Sequence, residues 1–228
     1  QNNDSIFDYI SKQILADENS FSLSAEKNIQ IEEKIKKAIL HDISLLKSLF
    51  ELPIKNMASY AADTNNFINY KNISEPTNIF KNKKIIDIYE YLYKEYNRNG
   101  CGRFREYKAF SLREDGELKP IKRFEPITME NIYGYEKQKE KMINNTKKFI
   151  NGKHALNGLL IGESGTGKST TVKALLPLFE KEKLRLIEID KDTLYLIPAI
   201  IEKLEKRGMY FIIFIDDLSF ERNEDSYK

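Results

Sequence analysis

Apolar residues recur at intervals of three or four in three stretches of the first hundred residues, and this spacing predicts amphipathic helices. Asp4 or Ser5 can cap the first stretch, Pro53 ends the second, and Gly100 suits a left-handed end to the third. We therefore expect residues 1–98 to form a helical domain, with loops and one short helix between 54 and 83. The apolar positions are Ile6, Ile10 and Ile14; Ile35, Ile39, Ile43, Leu46 and Phe50; and Ile85, Ile88 or Tyr89, Leu92 and Tyr96.

Two short runs with alternating apolar residues, 104–112 and 118–123, flank the tripeptide Glu114-Asp115-Gly116. An Asp-Gly pair between such runs is a strong hairpin signal, because both residues tolerate a positive φ angle. Pro120 and Pro126 limit strand pairing to an edge. The pattern predicts a β-hairpin that links two domains over residues 99–125.

The last hundred residues alternate short apolar runs with helical spacing. A helix that carries Met142, Thr146 and Phe149 is expected to stop by Gly152, and three apolar runs follow at 159–161, 184–189 and 210–215. Strand, helix, strand, helix, strand is the pattern of a parallel, right-handed α/β sheet, and a fully apolar run such as 210–215 is expected in its middle. We therefore place an α/β domain at 126–228.

Composition excludes several classes of protein. The 37 Lys and Arg nearly balance the 35 Asp and Glu, so the net charge of +2 indicates neither a nucleic-acid nor an anionic-membrane partner. Cys101 is the single cysteine, which excludes an internal disulfide and favours a cytoplasmic protein. No apolar run approaches the roughly 18 residues of a membrane helix. We expect no leader peptide, although the chain begins at Gln1 without a methionine.

One stretch carries specific chemistry. GESGTGKST at 162–170 matches G-x-x-x-x-G-K-[ST], with glycines at 162 and 167, Lys168 and Ser169. Glycines let the backbone turn tightly and direct N–H groups at an anion, and the following helix adds its positive end. Lys168 is expected on the β- and γ-phosphates of a nucleotide and Ser169 on Mg²⁺.

A second motif, an apolar run that ends in two aspartates, can lie beside this loop in a parallel sheet. The apolar run 210–215 leads directly into Asp216 and Asp217, and a carboxylate at the C-terminal end of a parallel strand can lie beside a phosphate loop. Asp216 is then expected to hold Mg²⁺ through water. An ordinary loop and a core strand with an acidic cap are the alternative interpretation, which the match of both motifs disfavours.

These residues together resemble the first half of an AAA+ ATPase module. Ile132-Tyr133-Gly134-Tyr135 resembles the linker that packs on adenine, GESGTGKST resembles Walker A, and FIIFIDD resembles Walker B. The strings GYEKQKE, NTKKF, LRLIEIDKD and IDDLSFERNEDSYK are similar to a bacterial AAA+ group described as an ATP-binding domain of unknown function, from near Arg105 onward. The resemblance implies a P-loop sheet.

The same resemblance implies ATP and Mg²⁺ as ligands, a homo-oligomer in the full-length protein, and a macromolecular client of unknown identity. Lys168 and Asp217 would be catalytic, and Ser169 and Asp216 would bind the metal. The nucleotide would contact Gly162, Glu163, Ser164, Gly165, Thr166, Gly167, Lys168, Ser169, Thr170, Ile132, Tyr133 and Tyr135.

Two departures from the AAA+ pattern bear on activity. AAA+ enzymes usually place Asp-Glu after the Walker B strand, with the Glu polarising water, whereas this chain has Asp217 at that position. The chain also stops at Lys228, before a sensor strand, a trans-acting arginine or a helical lid. We therefore expect a truncated module that binds Mg-ATP but turns it over poorly. A nucleotide-gated loader with little hydrolysis and a P-loop small-molecule kinase remain alternatives.

Three further features favour ordinary structural roles. The tyrosines at 89, 91, 93 and 96 suit half-buried packing better than an aromatic binding surface. The lysine clusters at 81–84 and 136–148 suit solvated helix faces. Asp190 and Asp192, before Leu194-Tyr195-Leu196, suit a helix cap and core residues better than a substrate-gripping loop.

Overall fold

The computed structural model describes residues 6–51, 79–80, 83–122 and 127–216. The chain forms two compact units, Gln1–Asn97 and Arg98–Lys228. Asp4, Ser5, Pro53, most of 54–83, Pro126 and Asp217, on which several sequence predictions rest, lie outside the described residues. No helix among the described residues is long and apolar enough to cross a membrane.

The first unit is helical in its described part, as the periodicity predicted. Helices α1 (Ile6–Ala16), α3 (Glu33–Phe50) and α4 (Ile85–Asn99) match the three predicted stripes, and Gly100 after α4 has a φ of 76°. A short helix α2 (Ser20–Glu26) was not predicted. The Asn19 side chain accepts hydrogen bonds from the Phe21 and Ser22 amides at 2.9 and 3.0 Å, so a capping box starts α2.

Phe21 is buried in the first unit and packs against aromatic residues of α4. Its ring stacks on Tyr89 at a centroid distance of 5.1 Å and meets Tyr96 edge-on at 5.7 Å. Tyr89 and Tyr96 are buried, and the Tyr96 hydroxyl donates to the Ile14 carbonyl at 2.5 Å. These two tyrosines are therefore packing residues, as predicted.

The second unit begins with the short helix α5 (Arg103–Glu106) and the strands β1 (Ala109–Leu112) and β2 (Leu118–Pro120). β1 and β2 pair antiparallel around Asp115-Gly116, and Gly116 has a φ of 77°. The predicted hairpin is thus present. It belongs to the main sheet, because β1 also pairs parallel with β3 (Leu184–Ile189).

The remaining elements complete a mixed α/β unit. The sheet has four strands in the order β2-β1-β3-β4, where β4 is Tyr210–Ile215, and β3 and β4 are parallel. The helices are α6 (Glu136–Ile150), α7 (Lys168–Lys173), α8 (Leu175–Phe179) and α9 (Ile197–Leu204), with 3-10 turns at Met129–Asn131, Glu180–Glu182 and Lys191–Leu196.

Helices cover both faces of this sheet. One core cluster joins Phe110, Ile187 and Ile189 of the strands to Ile200 and Leu204 of α9. A second cluster joins Ala109 and Leu186 to Val172 and Leu176, and Met142 of α6 packs against it. The helix that follows the GESGTGKST loop is therefore fixed on β1 and β3.

Two strand predictions for this unit were wrong. Residues 154–163 form no strand, and Leu159 and Ile161 are 74% and 88% exposed. A run of three residues between Gly158 and Gly162 has little to stabilise a strand, because glycine loses the most conformational freedom on ordering. Leu160 still packs against the cluster around Val172. Consequently β4, expected in the middle of the sheet, is an edge strand among the described residues.

Candidate functional site

The loop 162–167 forms a tight turn before α7. Gly165 and Gly167 each have a φ of 79°, a conformation that side chains other than glycine adopt at a cost. A Cβ atom at Gly162 would lie 3.3 Å from Thr166 Oγ1, and the Thr166 hydroxyl donates to the Glu163 carbonyl at 2.8 Å. The glycines therefore permit the compact loop, whose residues 162–165, including Glu163, are exposed.

Lys168 folds back across this loop. Its Nζ donates to the carbonyls of Gly162 and Glu163, both at 2.7 Å. The ammonium group is thus held at the loop by backbone acceptors, in the part of the site where an anionic ligand would meet it. The structure places the sequence-predicted cation within the predicted loop.

Ser169 and Asp216 bring the two predicted motifs together. The Ser169 hydroxyl donates to Asp216 Oδ1 at 2.6 Å, although the two residues are 47 positions apart. Ser169 lies in the first turn of α7, and Asp216 follows the last residue of β4. The carboxyl end of β4 and the glycine-rich loop therefore share one site.

One contact ties α7 to the sheet, and a second stabilises the first turn of the helix. Lys173 Nζ lies 2.8 Å from Glu188 Oε1 on β3. The Thr171 hydroxyl donates to the Gly167 carbonyl at 2.7 Å. Together with burial of Val172, these contacts hold Lys168 and Ser169 at the sheet edge where β4 ends.

The Ile132–Tyr135 turn lies next to the loop through its first residue. Ile132 is 8% exposed, and its Cγ2 is 3.8 Å from the position that a Cβ atom would take at Gly167. Tyr133 is 90% exposed and Tyr135 is 54% exposed. Ile132 is therefore the member of the predicted adenine-binding set that the structure places against the loop.

The oxygen atoms at this site suit Mg²⁺, which prefers oxygen ligands. Ser169 Oγ and Asp216 Oδ1 supply two neighbouring oxygens. In the part of the chain that the structure describes, no three His, Cys, Asp or Glu side chains group as a metal site. A bound Mg²⁺ would therefore take its further ligands from water and from the phosphates of a nucleotide. Asp217 lies outside the described residues.

Among the described residues, Asp190 and Asp192 make no hydrogen bond to the loop 162–167. Asp190 precedes the 3-10 turn Lys191–Leu196, and its carbonyl accepts from the Thr193 amide and hydroxyl, each at 3.0 Å. Leu194 and Leu196 pack against the core around Ile200, whereas Tyr195 is 69% exposed. The predicted core role holds for the two leucines, and the Asp190 side chain makes no cap hydrogen bond.

Comparison with protein families found a match that covers this site. The family model described as protein of unknown function (DUF815) matches residues 105–228, which is more than half of the chain. The chain belongs to the DUF815 family. Comparisons with curated proteins and with solved structures found no match. The DUF815 match includes Ile132, the loop 162–170 and Asp216, so the candidate site lies within the family segment.

Sequence reasoning missed the burial of Lys139 in the DUF815 segment. Lys139 lies in the cluster 136–148 that was expected to be a solvated helix face, yet it is 7% exposed. Lys137, Lys141, Lys147 and Lys148 are exposed as predicted. The helical spacing offered a signal, since Lys139 lies three residues before Met142 and seven before Thr146 and therefore shares their face.

The segment before the loop is held by a side chain that sequence reasoning also missed. The Asn145 amide donates to the Leu156 carbonyl at 2.7 Å, and Asn145 Oδ1 accepts from the Leu156 amide at 3.0 Å. This pair of bonds satisfies both backbone groups of Leu156, as a neighbouring strand would.

Proposed function

We propose that this chain binds Mg-ATP at the 162–170 loop and acts as an AAA+ ATPase. It would couple ATP binding and hydrolysis to the remodelling or loading of a macromolecular partner, as a homo-oligomer in the full-length protein. The contact that carries the proposal is the 2.6 Å hydrogen bond between Ser169 and Asp216. It joins two motifs that the sequence associates with one magnesium nucleotide, although neither motif predicts the contact by itself.

Each residue of the site has a defined part in this proposal. Lys168 would exchange its two carbonyl acceptors for phosphate oxygens, which are stronger acceptors because they are charged. Bound Mg²⁺ would neutralise negative charge on the phosphates. Ser169 would offer its hydroxyl oxygen to the metal, and Asp216 would orient metal-bound water. Asp217 would orient the attacking water.

A nucleotide-gated module with little hydrolysis is the second candidate. The observation that favours it is Asp217, which is one methylene shorter than the Glu that usually follows the Walker B aspartate. A shorter carboxylate reaches less far toward an attacking water. Both candidates require Mg-ATP binding, and phosphate release separates them.

Magnesium-linked binding tests the proposal. A fluorescent ATP analogue is titrated into the wild type, Ser169→Ala and Asp216→Asn, with Mg²⁺ and with EDTA. We expect Mg²⁺ to tighten binding by about tenfold in the wild type, which corresponds to about 1.4 kcal/mol. Both variants should lose that gain and keep the affinity measured in EDTA.

Asp192→Asn is the matched control, since it removes the same charge from an exposed position. It should keep the magnesium response. A response that is unchanged in Ser169→Ala and Asp216→Asn would refute the proposed metal site, and absence of ATP binding by the wild type would refute the function.

A further inference from the structure

The buried ammonium group of Lys139 binds the first residue of the turn that lies beside the loop. Its Nζ donates to the Ile132 carbonyl at 2.8 Å, and its backbone amide donates to the Tyr135 carbonyl at 3.0 Å. The same Nζ lies 2.7 Å from Glu136 Oε1. The backbone bond is the first i→i−4 bond of α6, so it is the Lys139 side chain that ties Ile132 to the helix.

This turn requires restraint from outside its own backbone. Gly134 has a φ of 76°, and Tyr135 has a φ of 57° and a ψ of 33°. The left-handed conformation is unfavourable for tyrosine, because its Cβ approaches the following carbonyl. The hydrogen bond from Lys139 Nζ to the Ile132 carbonyl offsets part of this cost and fixes the position of Ile132.

Burial of the Lys139 ammonium group costs free energy unless protein acceptors replace the water that it loses. The Lys139 side chain is 9% exposed, while its carboxylate partner on Glu136 is 77% exposed and therefore well solvated. A buried ammonium needs hydrogen-bond acceptors, and the Ile132 carbonyl is the one that ties it to the loop region. Ile132 in turn lies beside Gly167, with its Cγ2 3.8 Å from the position that a Cβ atom would take there.

We propose that Lys139 is a positioning residue that holds Ile132 against the phosphate loop and thereby makes the site select nucleoside triphosphates over inorganic tripolyphosphate. The inference rests on the proposed function. The loop residues bind phosphate in both ligands, whereas the turn that begins at Ile132 presents the exposed rings of Tyr133 and Tyr135, an apolar surface that only the nucleoside part can use. Loss of the Lys139 contact should therefore weaken the binding of ATP and leave the binding of tripolyphosphate unchanged.

The test measures dissociation constants of Mg-ATP and of Mg-tripolyphosphate by calorimetry for the wild type and Lys139→Met. We expect Lys139→Met to weaken the binding of ATP by about tenfold or more, which is the usual effect of losing an apolar contact in a binding pocket. The binding of tripolyphosphate should weaken by less than about twofold. Lys139→Arg retains a cation that can reach the Ile132 carbonyl and should restore part of the ATP affinity. Lys141→Met, an exposed lysine on the same helix, is the matched control and should match the wild type.

Equal ATP affinity of Lys139→Met and the wild type would overturn the inference, and so would an equal loss for both ligands, because that indicates a general structural role. If Lys139→Met does not fold, Lys139→Gln replaces it. The shorter, neutral side chain should show the same ATP-selective loss, and wild-type selectivity in that variant would overturn the inference. Failure of the wild type to bind either ligand would instead refute the proposed function.

Discussion

The Arg185 guanidinium donates from Nε to the Phe104 carbonyl at 2.6 Å within the second unit. Arg185 lies on β3, is 1% exposed, and also donates to the carbonyls of Leu184 and Asn99. Arg207 adds a hydrogen bond to the Cys101 carbonyl at 2.9 Å and places its guanidinium 4.9 Å from the Phe104 ring centroid. Two arginines therefore fix the connection that leads into the hairpin.

Arg185→Met should lower the free energy of unfolding by about 3 kcal/mol, because buried carbonyls lose their donor and cannot reach water. Urea denaturation measures this change. Arg113→Met is the control, since Arg113 is exposed, and it should change stability by less than about 0.5 kcal/mol. Equal stability of the two variants would contradict the role assigned to Arg185.

The sequence predicted the elements of this fold better than their arrangement. Helical periodicity identified α1, α3, α4 and α6, and the Asp-Gly pair identified the hairpin, because these signals are local. The sequence did not predict the parallel pairing of β1 with β3, since the paired residues Phe110 and Ile187 are 77 positions apart. The strand predicted at 159–161 failed because three apolar residues do not specify a partner strand.

The site shows the same division between local and distant signals. The loop motif predicted Lys168 and Ser169, and the apolar run 210–215 predicted a carboxylate at its end. Helical spacing placed Lys139 on the face of Met142 and Thr146, but the sequence alone did not show that this face is buried at Lys139, because burial depends on packing beyond the helix. Membership of the AAA+ class stays a prediction, since the DUF815 description states no activity.

The pH dependence of stability offers a test of the environment of Lys108. Burial lowers the pKa of Lys108 below its ordinary value of 10.5 and Arg185 adds to this, while Glu180, whose Oε1 lies 3.6 Å from Lys108 Nζ, opposes the shift. Between the lowered pKa and 10.5 the unfolded chain binds more protons than the folded chain, so stability rises with pH in this window.

We therefore expect the stability difference between the wild type and Lys108→Met to move in favour of the wild type as pH rises toward 10.5. Urea denaturation at several alkaline pH values measures this difference, and the comparison cancels the titration of groups that both proteins share. A difference that stays constant with pH would show that folding leaves the pKa of Lys108 unchanged.

Asp217→Asn tests the assignment of the water-positioning residue. The change should reduce phosphate release by a factor of about 10² or more, the usual range for a general base, because an amide cannot accept a proton from water. ATP affinity should change by less than about twofold. Asp115→Asn, in the exposed hairpin turn, is the control for the loss of one negative charge.

Two results would count against that assignment. If Asp217→Asn keeps the turnover of the wild type, another residue must orient the attacking water. Phosphate release by the wild type no faster than by Lys168→Ala would instead support the nucleotide-gated alternative.

The most direct test of the central claim is calorimetric titration of Mg-ATP into the wild type and Lys168→Ala. Lys168 Nζ is held at the loop by two carbonyls at 2.7 Å, so its removal takes away the cation expected to bind phosphate. Lys181→Ala, at an exposed position, provides the charge-matched control, and circular dichroism verifies that all three proteins are folded. The account predicts micromolar-range binding by the wild type and Lys181→Ala and a loss of about a hundredfold or more in folded Lys168→Ala. Equal binding by the wild type and Lys168→Ala would contradict it.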